Sequence, residues 1–344
     1  MMMTEKENLL RVIRGQEPAW VPRKGATPFP EADPEHHKPC CVRAMPQLFP
    51  PRIGPGGGRM DIFGVEFEPT DSAFGQELPI PNKFILDDIT KWRDVIKTPS
   101  LEGIDWEAVA RRSVENVDRR ESAVELGTHV GYFQTVMNFL GFTEGLCAMQ
   151  EEAEEVYALC DYLATYYETI AKNLIHFMKP DLFCITDDTA TARSPFFSVE
   201  MYRKLFKPFH VRLAQIALDA DIPINMHNCG RCEDFIEDWL DFGVSFWNPA
   251  QTSNDLAGIK KKYGNSLVLH GCWDSSGPAD WPGADEELVR QAVRDCIDAY
   301  APGGGFCFWA ASLYHKNDEK ARDHAFWVTD EYNKYGRTFY KRQG

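Results

Sequence analysis

In the run Asn225-Met226-His227-Asn228-Cys229-Gly230 an imidazole and a thiol stand two residues apart, after the apolar Ile222-Pro223-Ile224 and before a helix-like segment from Glu233 to Asp241. Where a strand gives way to a loop, both side chains can reach one borderline metal ion such as Zn²⁺. On spacing alone the same pair also reads as a satisfied core histidine beside a small buried thiol. Cys232 completes Cys-Gly-Arg-Cys, but it falls in the first turn of the next helix, which argues against a redox pair. The adjacent Asp187 and Asp188 end another strand candidate, where carboxylates contact substrate or metal or cap the following element. His36, His37, Cys40 and Cys41 have ligand chemistry on paper, but sequence neighbours seldom converge on one ion.

The elements that must position these groups become regular from about Pro180. Short β-branched or aromatic runs (181–186, 222–227, 244–248, 266–271 and 305–309) alternate with amphipathic segments at 199–220, 233–241, 255–262, 285–300 and 318–335. This alternation predicts an α/β fold, a (β/α)₈ TIM-type barrel, with a doubly wound open sheet as the alternative. The first half predicts a helix at 6–15, a hairpin at 60–69, a strand at 124–129 and a long helix over 151–178 that opens on an acid-rich turn. Residues 17–59 are rich in Pro, Gly and His and show little periodicity. The expected organisation is therefore a single domain over 1–344, with 1–60 an irregular extension covering the barrel mouth and 60–344 the barrel.

Active sites of such barrels form at the carboxyl ends of the strands. Those ends carry Asp187-Asp188, His227-Asn228-Cys229, Asn248, then His270, Cys272 and Asp274, with Cys307 on the last strand. Trp247, Asn248, Trp273, Phe308 and Trp309 are the candidate substrate-binding residues there, suited to an aromatic or apolar ligand. Asp187, Asp188, His129 and His315 are the acid–base candidates near the same rim. The 37 Lys+Arg against 52 Asp+Glu give a net charge of -15 without a basic stripe, which disfavours nucleic acid or an anionic membrane as partner. No apolar run is long enough to span a bilayer and the start lacks a signal-peptide core, so a cytoplasmic location and reduced thiols for the ten cysteines are expected. Size and charge are compatible with a homodimer.

Several segments resemble the uroporphyrinogen decarboxylase-like superfamily, and within it the corrinoid-dependent methyltransferases of the O-demethylase type. They are Glu7 to Gly15 with Val21-Pro22, Asp61-Ile62-Phe63-Gly64-Val65, Met201-Tyr202-Arg203 with Lys207-Pro208, His227-Asn228-Cys229-Gly230, Lys262-Tyr263-Gly264 and Pro302-Gly303-Gly304-Gly305. The resemblance implies a (β/α)₈ barrel and zinc bound by His227, Cys229 and a later cysteine. Ser312 stands where the relatives carry that cysteine, leaving Cys307 as third ligand, Cys272 as its alternative, or a carboxylate such as Asp187. It also implies a small methyl donor, a corrinoid carried by a partner protein, and zinc acting as Lewis acid. Pro22 to Pro28 do not reproduce the arginine signature of the decarboxylases, and none of the late strand ends supplies convergent Arg or Lys. A decarboxylase-type carboxy-lyase and a non-catalytic binding subunit remain the competing readings.

Overall fold

The computed structural model describes residues 3–25, 37–71, 75–128, 130–281, 283–310, 312 and 318–342. It opens on a capping box: Thr4 Oγ1 accepts from the Glu7 N–H at 3.1 Å, and the Glu7 carboxylate accepts from the Thr4 N–H at 3.0 Å. This starts α1 (Glu5–Ile13). There follow β1 (Cys41–Ala44), the antiparallel pairs β2 (Arg52–Ile53) with β3 (Arg59–Met60) and β4 (Phe67–Thr70) with β5 (Gln76–Pro79), then α2 (Trp92–Val95) and α3 (Trp106–Ser113). From β6 (Ala123–Gly127) strands and helices alternate: α4 (Tyr132–Leu140), α5 (Phe142–Glu151), α6 (Ala153–Met178), β7 (Leu182–Thr186), α7 (Val199–Leu205), α8 (Lys207–Leu218), β8 (Ile224–His227) and α9 (Ile236–Asp241). The chain ends with β9 (Val244–Ala250), α10 (Leu256–Tyr263), β10 (Val268–Cys272), α11 (Glu286–Tyr300), β11 (Phe306–Trp309) and α12 (Glu319–Tyr335).

Seven strands form one parallel sheet in the order β1-β6-β7-β8-β9-β10-β11. Sequential order without reversal leaves no topological switch point, which excludes the doubly wound alternative. On the free edge of β11, the Phe308 N–H reaches Pro22 O at 2.8 Å and the Lys24 N–H reaches Phe308 O at 3.2 Å. Residues 22–24 thus run parallel to β11 as a rudimentary further strand, and the Cys40 thiol, 2.7 Å from Arg23 O, ties them to the start of β1.

Alternation along the strands sorts their side chains into two layers. Cys41, Ala123, Leu182, Phe246, Val268 and Cys307 face inward near the amino ends and pack on Leu9, Val12 and Ile13 of α1, which plugs that end. Residues of opposite parity, including Val124, Leu126, Phe183, Ile185, Trp247 and Phe308, join the larger core between sheet and helices.

The late strands lie where alternation placed them, to within two residues. The helix expected over 199–220 is instead two, parting at Phe206, because Pro208 in the first turn of α8 lacks the N–H that a continuous helix would use. β1 lies inside the stretch expected to be irregular, so the sheet begins before residue 60. In the expected 60–69 hairpin, Met60 does bridge Glu66, but the ladders are β2–β3 and β4–β5. No helix among the described residues is long and apolar enough to cross a membrane.

Candidate metal centre and cavity

Asp187 and Asp188 leave β7 together and part at once. Asp187 is fully buried; its carboxylate accepts from the Phe133 N–H at 3.0 Å and the Gln134 N–H at 3.2 Å. α4 begins at Gly131 without a side-chain cap, so this long-range carboxylate satisfies donors that its own sequence leaves open. His210 Nε2, 3.2 Å away, meets the same carboxylate and shares its Nδ1 with the Tyr202 hydroxyl at 3.0 Å. All this capacity is spent inside the protein.

Asp188 turns the other way. Its Oδ1 accepts from the Cys229 N–H at 2.8 Å and its Oδ2 from Gln134 Nε2 at 3.0 Å, and Oδ1 lies 3.7 Å from His227 Nε2. Cys229 Sγ stands 3.8 Å from the same nitrogen. Asp188, His227 and Cys229 therefore offer a carboxylate oxygen, an imidazole nitrogen and a thiol sulfur, all within 4.8 Å of one another. Among the described residues no other His, Cys, Asp and Glu group of three or more meets that spacing.

The loop carrying these groups is held from both sides. Asn228 and Thr189 exchange two hydrogen bonds, Nδ2 to Oγ1 at 2.7 Å and the Thr189 N–H to Oδ1 at 3.1 Å. Asn254 Oδ1 accepts from Cys232 and Glu233, while its Nδ2 donates to Gly230 O. Gly230 adopts a φ of +90°, and a Cβ there would meet the carbonyl oxygens of Ala190 and Thr191 at 2.6 Å, so a side chain would push the two loops apart. Burial, reinforced by Asp188, pushes the Cys229 thiol up and keeps it protonated without a cation. Burial also lowers His227, against the opposing pull of Asp188, and leaves the ring neutral and able to ligate.

His227 and Asn248 form one edge of a cavity of about 690 Å³ inside the sheet. Deeper in, Glu125 is fully buried, with Oε2 2.9 Å from Lys24 Nζ and 2.8 Å from Asn225 Nδ2. Burial opposes charge on both groups, but their mutual attraction outweighs it: Lys24 is held above its ordinary value and Glu125 below. His270 lies 2.9 Å from Lys24 O through Nε2 and stacks on Trp309 at 5.2 Å and 22°. Burial, with Lys24 nearby, keeps His270 well below the usual imidazole range and therefore neutral.

The expected sites fare unevenly. His227 and Cys229 come together, but Cys307 does not join them: it faces inward at the amino end, fully buried among Leu9, Val12 and Cys40. Two positions before Trp309 on β11, it lies about 7 Å below the rim at strand rise. Cys272 is buried in the outer core beside Cys296, and Ser312 donates to Asp280. The third donor atom within 4.8 Å of the pair belongs to Asp188. Of the five aromatic-site residues, Asn248 and Trp309 line the cavity. Trp247, Trp273 and Phe308 lie in the outer core, Trp247 and Phe308 because they have the opposite strand parity, and the two indoles donate to Asn228 O at 3.3 Å and Asp280 Oδ1 at 2.8 Å. His129, His315 and His36 lie outside the described residues. Cys40 donates to Arg23 O rather than joining a metal cluster. Cys232 is buried against the carbonyls of Asn228 and Gly230.

Sequence reasoning missed Lys24, Arg43, Glu125 and Gln134. Glu125 had a signal: a lone carboxylate inside the apolar run Ala123 to Leu126 must be paired if that strand is buried. Lys24 and Arg43 had none, since they stand in the stretch without periodicity.

Curated proteins give no match to the sequence. Among solved structures, a methyltransferase from Methanosarcina mazei superposes with a TM-score of 0.64 at 14% identity, covering 96% of this chain and 100% of that one. That likeness speaks for a shared fold. An endo-beta-1,4-mannanase from Thermotoga petrophila, at 12% identity over 72% of this chain and 70% of that one, reaches a TM-score of 0.24 and carries no argument. Residues 107–311, more than half of the chain, match the family described as Uroporphyrinogen decarboxylase (URO-D). The chain belongs to the uroporphyrinogen decarboxylase family.

Proposed function

We propose that this chain is a methyltransferase that demethylates a small methoxylated aromatic compound and passes the methyl group to a corrinoid protein, with Zn²⁺ held by Asp188, His227 and Cys229. The observation that carries the reading is this donor set at the carboxyl ends of β7 and β8, on the edge of the cavity. The residues fit the ion. Tetrahedral zinc with bonds of about 2.0 Å to nitrogen and 2.3 Å to sulfur needs an N···S separation of about 3.5 Å. The separation here is 3.8 Å. Three protein ligands leave a fourth position, the arrangement of catalytic rather than structural zinc.

Zinc bound there supplies Lewis acidity at the heteroatom that carries the methyl group. The chain's own residues do the rest. Gln134 and the Cys229 N–H fix the Asp188 carboxylate, and the Asn248 amide lies 3.2 Å from His227 Nδ1. The Asn248 atom facing Nδ1 is Nδ2; with Nε2 given to a metal the ring proton would reside on Nδ1, and a turn of the amide would present to it the carbonyl oxygen, which has no hydrogen-bond partner among the described residues. The stacked Trp309 and His270 give the cavity a flat apolar wall suited to an aromatic ring.

The test is anaerobic incubation of the protein with reduced cobalamin and a panel of methoxylated aromatics, followed by the absorbance of methylcobalamin. The reading expects methyl transfer that is abolished by chelation and restored by zinc. Transfer unaffected by chelation would contradict it. A decarboxylase-type carboxy-lyase is the second reading, favoured by the basic residues on the cavity wall; release of CO₂ from a polycarboxylate by metal-free protein would support it.

A further inference from the structure

The described wall of the cavity is cationic in a chain whose net charge is -15. Five Lys or Arg side chains line it against two carboxylates, and both carboxylates are committed: Glu125 to Lys24 at 2.9 Å and Glu5 to Arg337 at 2.5 Å. The other cations on this wall are Arg23, Lys38 and Arg43. Arg43 is placed to meet a ligand. Inward-facing on β1, it donates from Nη2 to Thr186 Oγ1 at 2.9 Å, and its Nε is 3.9 Å from Glu125 Oε1, beyond hydrogen-bond length. Among the described residues no further hydrogen bond or ion pair engages the guanidinium, and its side chain is one-third exposed. Thr186, which it contacts, pairs in register with His227 across β7 and β8, so the guanidinium lies between the buried pair and the candidate metal centre. The wall also holds His270 Nδ1, a buried ring nitrogen without a hydrogen-bond partner among the described residues.

We propose that the ligand of this cavity carries a carboxylate or a comparable anionic group and that Arg43 is its anchor. A planar guanidinium with unspent N–H groups binds such a group through two parallel charge-assisted hydrogen bonds. A partly desolvated cationic wall lowers the cost of bringing the anion out of water. The proposal rests on the methyl-ether reading only for the choice of aromatic probe, and anchoring involves no bond making.

The experiment is calorimetric titration of metal-free and zinc-loaded protein with 3-methoxybenzoate and with 3-methoxybenzamide, which has nearly the same shape without the charge. The expected result is at least about tenfold tighter binding of the acid, independent of zinc and weakened by salt. Arg43→Gln should erase the preference, while Arg43→Lys keeps part of it; unchanged circular dichroism guards against misfolding. Equal affinity for acid and amide, or an undiminished preference in Arg43→Gln, overturns the proposal. If neither aromatic binds, the aromatic reading fails separately, and thermal shifts with phosphate and methanesulfonate decide the anion site. Stabilisation of wild type but not of Arg43→Gln supports it, and no stabilisation of either overturns it.

Discussion

At the carboxyl ends of the strands, Cys229 is partly exposed and stands 3.8 Å from His227 Nε2, with a carboxylate beside both. At the amino ends, Cys307 is fully buried beneath α1, packed with Cys40, Leu9 and Val12. The two thiols differ little in chemistry and greatly in depth. Asp187 and Asp188 repeat the contrast one residue apart, the first consumed by a helix terminus and the second turned toward the cavity edge. Residue type thus marks which side chains could serve a site, while strand parity and depth decide which of them do.

The contrast breaks most sharply at the aspartates. Asp188→Ala should lose methyl transfer and bind zinc more weakly while keeping its melting temperature. Asp187→Ala should still bind zinc but lose about 3 kcal/mol of stability, because two helix N–H groups and His210 lose their acceptor. Paired metal titrations and melting curves separate the two; a zinc defect confined to Asp187→Ala would reverse the assignment.

Between floor and rim lies the Lys24–Glu125 pair. Glu125→Gln should cost about 3 to 5 kcal/mol at neutral pH by leaving a buried lysine unpaired. Because Glu125 is held below its ordinary carboxylate value, its contribution is complete above that value and is lost as pH falls through the lower folded one. Melting curves of wild type and variant should therefore converge toward acid; a gap that widens there would contradict the pairing.

The smallest contrast is aromatic. Trp309→Ala should raise KM about tenfold with modest loss of stability, whereas Phe308→Ala should cost about 3 to 5 kcal/mol with no selective effect on KM. Steady-state kinetics beside thermal melts would show whether both act alike, which the strand alternation forbids.

The second half of the fold was legible because period-two strands and amphipathic helices alternate from residue 180 onward, and the strand ends named His227, Cys229 and Asp188 as site residues. What stayed hidden lacked periodicity or depended on depth. β1, with Arg43, sits in a stretch rich in proline and glycine, and its pairing with β6 spans about 80 residues. That Asp187 caps α4 was invisible because the cap comes from 54 residues away. Trp247 and Phe308 were placed at the site by type, although the parity that sends them outward can be counted from Asn248 and Trp309.

The most direct test is elemental analysis of purified protein beside its Cys229→Ser and Cys307→Ser variants. The account predicts about one zinc per chain in wild type and Cys307→Ser, and none in Cys229→Ser. Zinc lost from Cys307→Ser and retained in Cys229→Ser, or absent from wild type prepared without chelators, would contradict it.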